Sequence, residues 1–266
     1  MNMNRKTALK ISAAVFFICT VWSSTSFAAD KKHELIMLEA AKNVEFLSQK
    51  IAKAYFYKQQ GVRPDRAAED LKKSVTILQK DLIIIQDGID RKNKEEGNIA
   101  VFLDYTYNEL NGMLNKPYSR ENGALIIDYS ESLLEGAEFI AQQHMHKESP
   151  EEAMLIMVEH MLFLLERINK LYIAYQAEFK DYNNVTQLKQ AVQDFDAALS
   201  KINAYTKYSA GAQKSRDKIN EFWPVAQEFF VDLQKAALPV IVLASVEKLE
   251  KQLENLDDFH HKAASR

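Results

Sequence analysis

The chain reads as an all-α protein: tandem antiparallel four-helix bundles, about eight helices, behind an N-terminal signal peptide. Three observations predict this. Apolar residues recur at three- and four-residue steps in every long segment. The 266 residues include only seven glycines and five prolines, which suits long helices joined by short loops. One helical pattern also occurs twice, NVEFLSQKIAKAYFYKQ from Asn43 and HMLFLLERINKLYIAYQ from His160, 117 positions apart. At that offset Phe46 meets Phe163, Leu47 meets Leu164, Ile51 meets Ile168, Lys53 meets Lys170, Tyr55 meets Tyr172 and Gln59 meets Gln176. Without a gap, Leu71 to Val75 then meets Leu188 to Val192, and Leu82 and Ile85 meet Leu199 and Ile202. An offset kept across two helices and their loop implies a duplicated unit.

At the N-terminus, Arg5, Lys6 and Lys10 precede an apolar stretch from Ile11 to Val21, and Ser26-Phe27-Ala28 supplies small residues at a cleavage site. The stretch is shorter than the roughly 20 residues of a spanning helix. Residues 1–28 are therefore expected to be a signal peptide and the mature chain to be periplasmic. The single cysteine, Cys19, lies inside that segment, so the mature chain would have no thiol chemistry. Cleavage would lower the net charge from −3 to −6. An acidic chain is a poor partner for nucleic acid or anionic lipid. No stretch after Asp30 is long and apolar enough to span a bilayer.

The helices follow in order. The first is expected over 31–60, with Leu38, Ala41, Val44, Leu47, Ser48, Ile51, Ala54, Tyr55 and Lys58 on one face, ending at Gly61-Val62-Arg63-Pro64. The second covers about 65–90, with Leu71, Val75, Leu78, Leu82 and Ile85 inward. Lys92 to Gly97 reads as a polar loop, and a third helix covers about 98–115. Lys116-Pro117 breaks it, and a fourth runs over about 119–147. Ser149-Pro150-Glu151-Glu152 is a helix start: an N-cap serine, proline at the first position, and acids at the positive dipole end. The fifth helix, about 150–181, repeats the first, and the sixth, about 184–208, repeats the second. The seventh, about 212–235, contains Pro224, which predicts a kink. Pro239 opens the eighth, about 238–260, followed by a tail expected to fray. The domains are thus 29–148 and 149–266. They are expected either to stand end to end or to share one rod through helices four and five.

LSQKIAKAY at Leu47 to Tyr55 and LLERINKLY at Leu164 to Tyr172 resemble the segment RMLSQRIAKAY. That segment belongs to the N-terminal sensor domain of type IV pilus methyl-accepting chemotaxis transducers, the PilJ type. The domain is related to the nitrate-sensor module of NarX-like kinases. The resemblance covers most of the mature chain as two tandem copies. It implies periplasmic four-helix bundles that sense small molecules and pass a helix displacement to signalling parts, here without a signalling domain. In the nitrate sensors an arginine about five residues before the second basic residue of the motif binds the anion across a dimer interface. Glu45 and Leu162 occupy that position here, and neither donates the paired hydrogen bonds an oxyanion takes. The residues left as a ligand set are Ser48, Gln49, Lys50, Lys53, Tyr55, Arg167, Lys170 and Tyr172. Their alternative role is structural. Ser48 can bond back to the carbonyl one turn earlier, the four cations can be solvated charges, and the tyrosines can sit at bundle edges with the ring in and the hydroxyl out.

Catalytic patterns are missing. None of the six histidines follows a Glu by three residues, as a di-iron bundle needs. No phosphate loop, no His-Glu-x-x-His and no Gly-x-Ser-x-Gly occurs. Met145, Met154, Met157 and Met161 near His144, His146 and His160 read as core filler, not as haem ligands. His260-His261 is a weak metal motif. The chain is expected to be no enzyme, with no cofactor and no metal. The partners in keeping with this reading are a small molecule or anion, a membrane-bound receptor or envelope protein, and a second copy in a homodimer. An adaptor that docks such a receptor through exposed helix faces is the alternative function.

Overall fold

The computed structural model describes residues 5–90, 92–145, 150–233 and 238–264, with side chains described from residue 32 to residue 263 of these ranges. Within them the chain is eight helices and no strand: α1 (Arg5–Gln59), α2 (Pro64–Gly88), α3 (Lys94–Leu114), α4 (Arg120–Gln143), α5 (Pro150–Gln176), α6 (Tyr182–Ala204), α7 (Ala210–Val231) and α8 (Pro239–Ala264). None of the described helices is long and apolar enough to cross a membrane. The side chains of the expected signal peptide, and the expected N-cap Ser149, lie outside the described residues.

Most boundaries fall where the stop signals stand, and the departures have local causes. α1 starts at Arg5, not at residue 31, because no glycine or proline interrupts the chain before Gly61. α3 starts within the expected polar loop because Asn93 caps it. The Asn93 side chain accepts from the Glu95 and Glu96 N–H groups, and its amide donates to Glu96 Oε1 at 2.7 Å. α5 ends five residues early. Glu178 takes a left-handed φ of 73°, and the Phe179 N–H bonds to the Ala174 carbonyl at 3.0 Å. The end of α1 is built alike, with Gly61 at φ 68° and the Val62 N–H on the Tyr57 carbonyl at 3.0 Å. Gly61 and Glu178 are themselves 117 positions apart. The two halves therefore share the helix stop, and only the first marks it with a glycine. α7 runs through Pro224. The C-terminal tail does not fray at His260, which is fully buried in α8.

The packing repeats as well. α1 packs on α2 and α4, and α3 on α4; correspondingly α5 packs on α6 and α8, and α7 on α8. The bundles stand neither end to end nor on one rod. α4 stops at Gln143, α5 starts at Pro150, and the halves meet side by side through α1 and α5. Lys42 and Phe46 share a cleft with Glu159 and Phe163, Lys53 meets Glu166, and Tyr57 meets Asn169. These pairs advance together, so α1 and α5 run parallel.

Central placement explains the motif. From Leu47 to Tyr57 every residue is buried except Lys50, and from Phe163 to Ala174 every residue is buried except Arg167. A helix packed on three sides has no fully polar face. The two large cores interlock at this seam: Ile173, Ala174, Phe179 and Leu243 join the core of α1–α4, and Leu134 joins that of α5–α8.

Candidate functional site

The seam carries buried charge, and its ion pairs cross between the halves. Lys50 of α1 donates to Glu250 of α8 at 2.8 Å, and Arg167 of α5 donates to Glu131 of α4 at 2.7 Å. Each motif cation thus reaches the last helix of the other half. Each also lies over the phenylalanine one turn earlier: Lys50 is 4.9 Å from the Phe46 ring and Arg167 is 6.0 Å from the Phe163 ring. Reciprocity of this kind, residue for residue, is the signature of a two-fold interface, here closed within one chain.

The second pair of cations breaks the symmetry. Lys53 bonds across the seam to Glu166 of α5 at 2.7 Å. Gln49 stands where Glu166 does in the other copy, so Lys170 has no equivalent carboxylate on α1. Its amine turns instead to Glu131, which it shares with Arg167, and to the Ser130 hydroxyl at 3.4 Å. Burial lowers the Lys170 amine to about 8 in spite of Glu131. Burial also pushes the Glu166 carboxyl up, against the pull of Lys53. Lys50 is held above the ordinary lysine value: burial alone would lower it, and the Coulombic attraction of Glu166 and Glu250 outweighs that. The four cations are therefore paired across the seam, and their alternative reading as solvated charges is corrected by this geometry.

The other four candidates lie on the same two helices, Ser48, Gln49 and Tyr55 on α1 and Tyr172 on α5. Ser48 donates back to the Glu45 carbonyl at 2.7 Å and accepts from Gln49 Nε2 at 3.0 Å, while Gln49 Oε1 is buried without a partner. The Tyr55 ring is buried edge-on to Phe56 at 5.4 Å, and its hydroxyl has no partner. The Tyr172 hydroxyl accepts from the Leu238 N–H at 3.3 Å. Both tyrosines are wholly inside, not at a bundle edge. Sequence reasoning missed four participants: Glu131, Glu250, Glu166 and Asn169, whose Oδ1 accepts from the Tyr57 hydroxyl at 2.6 Å. A carboxylate within each fourth helix, and lysines inside otherwise apolar windows, were the available signals, since a buried cation demands a partner.

Two clefts open beside the seam along α1 and α8. One, of about 320 Å³, lies between α1, the start of α2 and α8, and its lining includes Lys50, Lys53, Tyr57, Arg63, Arg66 and Glu247. The other, of about 360 Å³, is acidic, with Glu39, Glu45, Glu159, Glu254 and Asp257 around Lys42. Burial and the facing Asp257 push the Glu159 carboxyl up to about 7. Among the described residues no group of three or more His, Cys, Asp or Glu side chains is arranged to hold a metal ion. No protein-family model, no curated protein and no solved structure matches this chain.

Proposed function

We propose that the chain is a non-enzymatic periplasmic ligand-binding protein of the sensor-module type, in which a duplicated bundle does within one chain what two copies do in a dimer. The observation that carries this is the reciprocal pairing of the motif cations, Lys50 with Glu250 and Arg167 with Glu131. The nitrate-sensor modules that the motif resembles bind their anion across a dimer interface. Here the second copy supplies the partner helix, and a cleft opens where α1 and α8 of opposite halves meet. A ligand seated there touches both halves, so binding would change their relative position and give a partner in the envelope something to read. Residues 1–28 would deliver the chain as a signal peptide.

The test is a thermal-shift screen of the mature protein against anions, amino acids and small organic acids. A ligand at 100 times its Kd stabilises by about 2.7 kcal/mol, which for a chain of this size raises Tm by roughly 5–10 °C. A flat response to every compound would reject ligand binding and favour an adaptor. One observation favours that second reading: Ile83, Ile84 and Val101 are exposed on α2 and α3, whereas their counterparts in the second half are Ser200 and Lys201 at the offset of 117 and Glu221 at the offset of 120 that aligns Phe102-Leu103 with Phe222-Trp223. The same position in the repeat is apolar on one half only, as a docking face would be.

A further inference from the structure

The cleft between α1, α2 and α8 is organised around a carboxylate that the protein itself supplies. Arg63 NH1 lies 3.3 and 3.0 Å from the two carboxylate oxygens of Glu247, and Arg66 NH1 lies 3.0 Å from Oε1. Two guanidiniums from the start of one helix thus converge on a single carboxylate from α8, each through its NH1 nitrogen. Arg63 sits at φ 47°, ψ 54°, a left-handed conformation costly for a residue with a Cβ, and although it is the N-cap of α2 its side chain makes no cap bond.

Glu247 is loosely held in this place. Its side chain is 26% exposed and those of Arg63 and Arg66 are 38% and 55% exposed, and ion pairs so open to water stabilise little. The deeper cations of the cleft are already matched, Lys50 by Glu250 and Lys53 by Glu166. The apolar part of the lining is Ala54, Ala67 and Leu243, which suits a short carbon skeleton, and Asp70, Lys251 and Glu254 complete it. The other half of the chain offers an internal control. There Lys180 and Asn183 stand 117 positions after Arg63 and Arg66, and Lys180 pairs with Glu178 of its own turn at 2.9 Å. The arginine pair is built once per chain.

We infer that this cleft takes one small organic carboxylate per chain, its anionic end displacing Glu247 from Arg63 and Arg66. The inference rests on the ligand-binding reading and names its chemistry. Displacement would free α8 from the start of α2 while leaving the Lys50–Glu250 pair to hold the seam, so the occupied and empty states differ in how α8 is tethered.

Titration calorimetry on the full chain tests this with acetate, succinate and benzoate as sodium salts, sodium chloride at equal ionic strength as the control, and ethylammonium and glucose as probes of other chemistry. Wild type is expected to bind one of the carboxylates with one site per chain. Glu247→Gln removes the internal competitor and is expected to bind about tenfold tighter. Arg66→Gln is expected to bind at least tenfold weaker. A purely structural ion pair would give the two variants the same sign of effect, so the opposed signs are the signature. Carboxylate binding that ignores Arg66, or no gain in Glu247→Gln, overturns the inference. Silence from all three carboxylates in both wild type and Glu247→Gln does so as well. If ethylammonium or glucose binds while the carboxylates do not, ligand binding survives and only its carboxylate chemistry is lost; if no compound of any class binds, both fall.

Discussion

Glu131 receives Lys170 and Arg167 together, in a setting where Lys170 is fully buried. Removing its charge strands two cations, whereas removing Lys170 leaves the Arg167 pair intact. Glu131→Gln is therefore expected to lower stability by about 3 kcal/mol in urea unfolding, and Lys170→Met to change it by less than about 1 kcal/mol. Equal losses in the two variants would show that the pairing is not shared as described. Glu159 gives a pH signature. Its carboxyl is raised from 4.5 to about 7 by burial and by Asp257, so between those values the folded chain holds a proton that the unfolded chain has released. Stability from this group is full below pH 4.5 and is lost as pH rises towards 7. Glu159→Gln should remove that slope and stabilise the protein at pH 7.5 by on the order of 2 kcal/mol relative to wild type. Melting curves at pH 5 and pH 7.5 check it, and an unchanged slope in the variant would refute the assignment. At this scale the motif cations were legible in the sequence but their partners were not. Glu131 and Glu250 stand in helices whose own periodicity gives no hint that they face another half of the chain.

At the scale of elements, the breakers that announce themselves are the ones read correctly: Gly61 and Pro64 between α1 and α2, Pro117 before α4, Pro239 at α8. The end of α5 is read late because Glu178 carries no such signal. Its left-handed φ is nevertheless the same stop that Gly61 makes, displaced by the repeat. Glu178→Gly should keep the stop and stabilise by about 1 kcal/mol, since a residue with a side chain is strained in that region and glycine is not. Denaturant melts settle this, and a loss of stability would mean that the Lys180–Glu178 pair outweighs the strain. The start of α3 is hidden for a related reason. Asn93 and Glu96 read as loop polarity in the sequence and act as a cap in the fold. The buried stretches of α1 and α5 were legible as helix but not as central helices, because periodicity reports one buried face and the second becomes visible only when the partner helix is in place.

At the scale of the whole molecule, the duplication was plain in the sequence and the relation between the copies was not. An end-to-end pair and a continuous rod both satisfy the helix pattern. What selects side-by-side packing is that Lys53, Glu166, Tyr57 and Asn169 sit on faces that would otherwise be bare to water or buried unpaired, and a parallel α1–α5 seam matches them. The most direct test of this arrangement is a charge-exchange cycle on one crossing pair. Lys50→Glu and Glu250→Lys, each alone, should destabilise by about 1–3 kcal/mol, and the double variant should recover most of the loss, with a coupling of at least about 1 kcal/mol. Single losses that simply add in the double variant would place Lys50 and Glu250 apart, and the seam on which the proposed function stands would be wrong.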